Sequence, residues 1–400
     1  AVEERMMADV PVGALLSGGV DSSIIAGTMS RMTDHPVQTF AVGFDVSGFS
    51  ELPYARLAAD HFGTEHHELV VRSSDLSEWW PILTWHRDEP VSEPSDLGVY
   101  LISKLARQYV KVVLTGEGGD ELFAGYPKYV VDWLARYYHL LPASLRDGAV
   151  TSLIGRLPYS MRKVKMASRV LSQPAPERWV SWFGPFNGPL KFDVLASAVR
   201  DSVDLDPSRE FRRWLEGNPQ RDDVSSMLYL DTKIWLPDNL LMKSDKMTMG
   251  ASLEARVPLL DPGLVEFAAR IPTNVKLRPF KAKYLLKRAY EGFLPPEILT
   301  RKKMGFNVPT GTWFREGLPD VLNRLLLSER ARERGYLNSE CVERLIREHV
   351  EGRTDHGNQL FILASLELWF RVFIDPPTVE MPQPSLERYL DSTEAVRSVA

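Results

Sequence analysis

Short apolar runs alternate with helical patterns over the first 130 residues of the chain. Four runs rich in β-branched residues are predicted to be strands, at residues 12–16, 37–43, 66–71 and 110–115. Helical periodicity fills the intervals between them, at residues 22–32, 51–62, 75–86 and 96–109. Because parallel strands need long crossover connections, this alternation predicts an α/β fold with a parallel twisted sheet and flanking helices.

From residue 131 onward helical periodicity dominates, for example at residues 133–140, 225–235 and 283–293, with proline-rich loops at 174–176 and 185–189. The sequence therefore predicts three parts: an α/β core (1–130), a mostly helical C-terminal half (131–375) and a poorly ordered polar tail (376–400). The apolar stretch 360–374 contains Glu367 and Arg371 and is too short to span a bilayer, so we expect a buried helix and no membrane partner.

Composition narrows the functional class. The chain has 400 residues, of which 44% are hydrophobic and 25% are charged, which excludes a disordered or fibrous protein. Its net charge of -5 gives no general attraction to nucleic acid. The single cysteine, Cys341, excludes an internal disulfide, and we expect a cytoplasmic location. Because the chain begins at Ala1 rather than at Met, we expect an internal start.

The strongest chemical signal is LSGGVDSS at residues 16–23, where the first predicted strand turns into a helix. Glycines let the backbone approach a ligand closely, and the hydroxyls and the helix N-terminus supply donors for an anion. Asp21 fits beside phosphates only if a cation such as Mg²⁺ lies between them. No Gly-Lys-Ser/Thr follows, which disfavours a kinase-type P-loop. The alternative is a serine-capped helix without a ligand.

A second glycine-rich loop, LTGEGGDELFAGY, follows the fourth predicted strand at residues 114–126. The carboxyl ends of parallel strands share one edge of a sheet, so both loops are expected to face one crevice. Its three carboxylates, Glu117, Asp120 and Glu121, need a metal, ribose hydroxyls or basic partners if they lie beside phosphates. A solvated acidic turn is the alternative.

Together with KMTMGASLEARVPLLD (246–261) and LPPEILTRKKMGF (294–306), these two loops resemble the synthetase domain of the asparagine synthetase family. The resemblance implies a PP-loop ATP-pyrophosphatase fold of the adenine nucleotide alpha hydrolase type, which splits ATP into AMP and pyrophosphate with Mg²⁺. It also implies small-molecule substrates, a carboxylate amino acid and ammonia, with no nucleic-acid partner. In that family an N-terminal glutaminase domain with a nucleophilic cysteine precedes this domain. We expect that domain to be absent from this chain, and we expect a glutaminase domain or subunit as the partner of the synthetase domain. Whether the protein forms a homodimer is left open.

The resemblance also implies site residues. Those expected to bind the nucleotide are Leu16, Ser17, Gly18, Gly19, Asp21, Ser22, Ser23, Val42, Thr115 and Gly116, with Asp21 and Asp120 as metal ligands. Those expected to take part in catalysis are Lys303, Glu254, Tyr126, Lys246 and Glu117. Lys303 would stabilise charge on the reacting phosphate. Tyr126 with Glu254 resembles the tyrosine–glutamate pair that acts as a base in β-lactam synthetases. The residues alone leave alternatives: Val42 as strand core, 301–303 as a solvated basic face, and Glu254 buried against Arg256.

The expected reaction is adenylation of a carboxylate followed by amidation, with aspartate as substrate and asparagine as product. The loop DEPVSEPS at 88–95 departs from the best-known bacterial asparagine synthetases, which carry two threonines and an arginine there. A β-lactam-synthetase-like or biosynthetic-cluster amide synthetase acting on another carboxylate is therefore the alternative. An RNA-modifying PP-loop enzyme and an inactive scaffold subunit are further alternatives, which the low basic charge and the intact acidic and lysine positions disfavour.

Overall fold

The structure is a computed structural model that describes residues 1–139, 173–182, 184–186, 188–204, 206–218, 220 and 222–391. Five parallel strands form one sheet in the order β3-β2-β1-β4-β5. Their bounds are β1 Val12–Leu15, β2 Gln38–Phe44, β3 Glu65–Val71, β4 Val112–Leu114 and β5 Glu254–Arg256. The first four confirm the predicted strands within two residues at each end.

Seven helices accompany the first four strands. They are α1 Val2–Met6, α2 Val20–Ser30, α3 Leu52–Phe62, α4 Ser73–Arg87, α5 Asp96–Ala106, α6 Gly119–Phe123 and α7 Pro127–His139. Along β4 the side chains alternate between faces: Val113 packs in a cluster with Ile102 of α5, whereas Leu114 packs in a cluster with Ile24 of α2. Helices therefore cover both faces of the sheet, which confirms the α/β class.

The fifth strand was not predicted. β5 contains only Glu254, Ala255 and Arg256, and it pairs with β4 in the register Val112↔Glu254 and Leu114↔Arg256. Three residues, two of them charged, are too few to show strand periodicity. The sheet is thus completed by a segment far beyond residue 130.

The rest of the described chain is mostly helical, as predicted. Its α-helices are Glu177–Val180, Leu190–Asp193, Ser197–Arg200, Arg209–Leu215, Asp223–Leu230, Met242–Gly250, Pro262–Arg270, Thr273–Lys276, Tyr284–Ala289, Pro296–Thr300, Thr310–Glu316, Pro319–Leu326, Glu329–Glu333, Ser339–Val350 and Gly357–Phe373. Short 3₁₀ turns lie at Pro258–Leu260 and Leu386–Tyr389. A π-helical segment, Asp231–Leu241, joins two α-helices into one long helix over residues 223–250. Of the predicted helical window 133–140, Leu140 lies outside the described residues.

The helix Gly357–Phe373 is buried as predicted, because Trp80 of α4 stacks on its Phe361 with ring centroids 4.8 Å apart. No helix in the described ranges is both long and apolar enough to cross a bilayer. The expectation of a poorly ordered tail is wrong for part of that segment. Leu386 is 1% exposed, and the buried Arg371 donates to the carbonyl oxygen of Tyr389. Residues 392–400 lie outside the described chain.

Candidate functional site

A cleft of about 1480 Å³ opens at the carboxyl edge of the sheet, between the two glycine-rich loops, the long helix and residues 280–306. Most of the site residues predicted from the sequence line it. These are Leu16, Ser17, Gly19, Asp21, Ser22, Val42, Thr115, Gly116, Glu117, Asp120, Tyr126 and Lys303. Gly18, Ser23, Lys246 and Glu254 do not line the cleft.

The first loop, residues 16–19, packs closely against the backbone of α3. Gly18 has φ +66°, and a Cβ atom there would lie 2.2 Å from the carbonyl carbon of Tyr54, so only glycine fits. The Ser17 amide donates to the Ser22 hydroxyl at 3.2 Å, and the two hydroxyl oxygens lie 3.1 Å apart. The hydroxyls of Ser17 and Ser22 and the N-terminus of α2 therefore lie together at the cleft, and such a group of donors is suited to binding an anion.

Ser23 lies behind this loop. Its side chain is completely buried, and its hydroxyl oxygen has no hydrogen-bond partner in the described part of the chain. The structure therefore places Ser17 and Ser22 at the cleft surface and Ser23 beneath it.

The second loop packs directly on the first. A Cβ atom at Gly116 would lie 2.7 Å from the Ser22 amide nitrogen, and one at Gly119 would lie 2.4 Å from the Asp21 carboxylate oxygen Oδ1. Glycine at these two positions lets the second loop approach the backbone of Ser22 and the carboxylate of Asp21. The contact brings Asp120, which follows Gly119, close to Asp21.

Two lysines neutralise these buried carboxylates. Lys283 forms an ion pair with Asp21, and its Nζ lies 2.7 Å from Oδ1 of Asp120. Lys303 Nζ lies 2.7 Å from the other carboxylate oxygen of Asp120. Burial opposes the ionised form of Asp120, but Lys283 and Lys303 outweigh it and hold the pKa of this carboxyl well below its usual range. Burial likewise opposes the charge of Lys303, and Asp120 outweighs it, so the pKa of Lys303 is raised.

The two carboxylates also fit a divalent cation. Oδ1 of Asp21 is buried without a hydrogen-bond partner in the described chain, and the Lys283 ammonium shows that one cation contacts both carboxylates. Nowhere in the described ranges do three or more His, Cys, Asp or Glu side chains form a metal cluster. Mg²⁺ commonly binds through one or two carboxylates and the phosphates of its substrate. Asp21 and Asp120 therefore suit a Mg²⁺ ion that is bound together with a nucleotide.

In the basic triplet 301–303, Arg301 and Lys303 pair within the protein, whereas Lys302 is exposed. Arg301 donates to the Gly18 carbonyl at 2.9 Å and forms an ion pair with Glu51, and both side chains are largely buried. Burial raises the pKa of Glu51 although Arg301 opposes the shift. Arg301 thereby fixes the first glycine loop, while Lys303 reaches Asp120.

Tyr126 pairs with a different carboxylate from the one expected. Its hydroxyl donates to Glu121 Oε1 at 2.6 Å inside the cleft. Burial and the charge of Asp120 raise the pKa of Glu121 to about 7, against the opposing hydrogen bond from Tyr126. Glu254 is instead half exposed, and Arg256 donates to it at 2.7 Å. Because Glu254 begins a parallel strand, it lies at the edge of the sheet away from the cleft, so the expected Tyr126–Glu254 pair does not form.

Lys246 also lies outside the cleft. Its Nζ donates to the Arg87 carbonyl at 2.8 Å and pairs with Asp88, which ties the long helix to the end of α4. Lys243, one turn earlier on the same helix, lines the cleft instead, and its Nζ lies 3.3 Å from the Ser95 hydroxyl. Burial raises the pKa of Glu117, and the charge of Lys243 opposes that shift.

The chain is similar to a known protein family over most of its length. Residues 1–371 match the family described as asparagine synthase. The chain is 35% identical to a "Putative asparagine synthetase [glutamine-hydrolyzing]" of Mycobacterium tuberculosis over 97% of this chain and 58% of that protein. It is 30% identical to "Asparagine synthetase [glutamine-hydrolyzing] 1" of Bacillus subtilis over 94% of this chain and 58% of that protein. It is also similar to "Amidase chry2" of Gibberella zeae, at 24% identity over 86% of this chain and 56% of that protein. The chain thus spans little more than half the length of the curated relatives it matches.

Proposed function

Because the chain belongs to the asparagine synthase family, we propose that it is an ATP-dependent carbon–nitrogen ligase that converts a carboxylate into an amide. A carboxylate oxygen attacks the α-phosphorus of ATP, the bond from that phosphorus to the bridging oxygen breaks, and pyrophosphate leaves. Ammonia then attacks the acyl carbon and loses a proton, and the bond between the acyl carbon and the AMP oxygen breaks. The products are an amide, AMP and pyrophosphate.

The observation that carries this proposal is the contact between the two glycine loops around Asp21, Asp120 and two lysines. Hydroxyls of Ser17 and Ser22 and the start of α2 offer donors to pyrophosphate. Lys283 and Lys303 bring two positive charges to the same place. Fixed positive charge beside the leaving group stabilises the transition state of phosphoryl and nucleotidyl transfer.

Asp21 and Asp120 are the residues that would hold Mg²⁺, which would supply charge neutralisation for the phosphates. When the nucleotide is bound, Lys283 would be free to leave the two carboxylates and to pair with phosphate oxygens. The apolar Leu16 and Val42, at the ends of β1 and β2, would lie against the adenosine.

We assign the proton transfer to Tyr126 and Glu121. Their side chains are hydrogen-bonded inside the cleft, whereas Glu254 lies outside it. Oε1 of Glu121 would accept, directly or through Tyr126, the proton that the attacking ammonia loses.

Aspartate is the first candidate substrate, with asparagine as product, because relatives that cover nearly the whole chain are named asparagine synthetases. Since those relatives are named glutamine-hydrolyzing, we propose that a glutaminase domain or subunit supplies the ammonia. A cytoplasmic location and a homodimer stay predictions. A second candidate is the amidation of another carboxylate, and the apolar lining of part of the cleft favours it.

The test is pyrophosphate release from Mg-ATP with ammonium and single candidate carboxylates, starting with aspartate. We expect equal amounts of pyrophosphate and AMP, and loss of at least 90% of the rate in Lys303→Ala, because one fixed charge at a reacting centre contributes about 10²-fold or more. Lys233→Ala is the matched control, since Lys233 is exposed and does not line the cleft. Formation of ADP and phosphate, or full activity of Lys303→Ala, would contradict the proposal.

A further inference from the structure

Part of the cleft wall is apolar and aromatic. Its half-buried members come from the start of α7, the residues after the helix Glu177–Val180, and the π-helical segment. They are Tyr126, Val130, Val131, Trp182, Trp235 and Leu240. These side chains form what we call the aromatic wall. Phosphates and small polar amino acids leave such a surface uncovered, whereas an apolar group covers it.

The charge of Lys128, beside the aromatic wall, is already neutralised within the protein. Lys128 Nζ lies 2.9 Å from Oδ1 of the completely buried Asp231, which also accepts a hydrogen bond from Tyr129. The Lys128 ammonium lies 5.9 Å from the centre of the Trp235 ring. Lys128 is therefore committed to Asp231, and a second carboxylate on a substrate would gain little from it.

Two polar atoms of this region point to an organic ligand. Nε1 of Trp182 and Oδ1 of Asn239 are buried and have no hydrogen-bond partner in the described part of the chain. The Asn239 amide nitrogen donates to Glu93 at 3.0 Å, which fixes the side chain so that its oxygen stays an acceptor. Both residues line the cleft. One unused donor and one unused acceptor among largely apolar lining residues are typical of a cleft that orients a ligand.

The size of the cleft agrees with a large substrate. Its volume of about 1480 Å³ exceeds the roughly 300–1,000 Å³ of ordinary small-molecule sites. The cleft therefore has room for a nucleotide and for a substrate with a body of its own.

We infer that the cleft accepts a carboxylic acid with a bulky, largely apolar body that carries an amide-like polar group, and that Trp182 is a specificity-determining residue for it. This inference rests on the proposed function, because the carboxylate is the group that ATP activates. Aspartate is short and polar throughout, so it would leave the aromatic wall uncovered.

Three carboxylates test the inference in the pyrophosphate-release assay with ammonium: L-aspartate, N-acetylglycine and N-benzoylglycine. The two glycine derivatives share their carboxylate and amide and differ only in methyl against phenyl. We expect kcat/KM for N-benzoylglycine to exceed that for each of the other two at least tenfold, because one methylene in an apolar pocket already contributes about tenfold or more. Calorimetric titration with the same compounds, in the presence of a non-hydrolysable ATP analogue, measures binding without turnover.

Substitutions of Trp182 test whether the preference for N-benzoylglycine over N-acetylglycine depends on the aromatic wall. We expect Trp182→Ala to reduce the benzoyl-to-acetyl ratio at least fivefold while Trp182→Phe keeps most of it, since phenylalanine restores an aromatic face. Trp214→Ala is the control, because Trp214 is a partly exposed tryptophan that does not line the cleft. An unchanged ratio in Trp182→Ala, with Trp182→Phe equally unaffected, would overturn the inference.

The two proposals fail in different ways. If aspartate is turned over and binds better than N-benzoylglycine, the inference is wrong and the ligase proposal stands. If turnover yields ADP and phosphate instead of AMP and pyrophosphate, but N-benzoylglycine binds at least tenfold more tightly than N-acetylglycine in a Trp182-dependent manner, the ligase proposal fails and the specificity of the cleft stands. Equal binding of the two glycine derivatives contradicts the inference in either case.

Discussion

Gly116→Ala is the substitution that most directly tests how the two glycine loops fit together. The added Cβ would lie 2.7 Å from the Ser22 amide nitrogen, 2.9 Å from Cβ of Asp21 and 3.0 Å from the Asp21 carbonyl carbon. Comfortable contacts between such atoms are about 3.5 Å or longer. The loops must therefore separate by about 0.8 Å, because two of the three opposing atoms belong to the backbone of α2 and do not rotate away.

The expected cost has two parts. Overpacking of this kind destabilises a protein by about 1–3 kcal/mol, which for a chain of 400 residues corresponds to a decrease in melting temperature of about 1–4 °C. The same displacement moves Ser22 and Asp21 away from the proposed pyrophosphate position. Since a misplacement of about 1 Å costs about 10²-fold in rate, we expect kcat/KM for ATP to fall about ten- to a hundredfold.

The assay is pyrophosphate release as a function of ATP concentration, together with thermal unfolding followed by circular dichroism. Gly263→Ala is the matched control, because within the described chain a Cβ atom there would meet only the end of the Asp261 side chain, at 3.2 Å, and the residue does not line the cleft. If Gly116→Ala keeps the wild-type melting temperature and kcat/KM for ATP, the two loops are not in the contact described and the reasoning is refuted.

Three further predictions follow from the same structure. Lys283→Met removes the cation shared by Asp21 and Asp120. We expect urea titration to show a loss of about 3 kcal/mol in the free energy of unfolding, and we expect the KM for ATP to rise at least tenfold. If both values are unchanged, the role given to Lys283 is wrong. Glu254→Gln and Lys246→Ala lie outside the cleft, so we expect kcat/KM within about twofold of wild type, and a hundredfold loss in either would restore that residue to the catalytic set. Burial raises the pKa of Asp96 to about 6 from an ordinary value of 3.8, although Arg87 opposes the shift. The folded state therefore holds this proton up to about pH 6, whereas the unfolded chain releases it near its ordinary value. As the pH rises from about 4 to about 6, the wild type should lose up to about 3 kcal/mol in its free energy of unfolding relative to Asp96→Asn. Urea titrations at a series of pH values measure this difference. If the free energies of the two proteins change in parallel with pH, Asp96 does not titrate in that range.

Features that the sequence predicts well are encoded locally. The loops 16–23 and 114–126 each contain their glycines, hydroxyls and carboxylates within a dozen or so residues, and both follow strands with clear apolar runs. Because parallel strands end at one edge of a sheet, the pattern also predicts that the two loops face one crevice, and the family resemblance implies that Asp21 and Asp120 bind one metal ion. The structure brings them together around Lys283.

Features that depend on tertiary geometry were missed. Lys283 reaches the carboxylates from a backbone conformation with φ +52°, which no local pattern reveals. The π-helical turns at Asp231–Leu241 rotate the part of the long helix that follows them relative to a regular α-helix. In that part Lys243 lines the cleft and Lys246 does not. β5 is too short to predict, and without it Glu254 cannot be assigned to the far edge of the sheet. Glu121 stood in the predicted loop, one residue after Asp120, but nothing in the sequence distinguished it as the partner of Tyr126.

The central claim is that a substrate carboxylate attacks the α-phosphorus of ATP in this cleft. The most direct measurement uses a turned-over carboxylate labelled with ¹⁸O in both oxygens, followed by ³¹P NMR of the nucleotide product. The account predicts AMP that carries one ¹⁸O atom and pyrophosphate that carries none. Unlabelled AMP, or ¹⁸O in inorganic phosphate together with ADP, would contradict it.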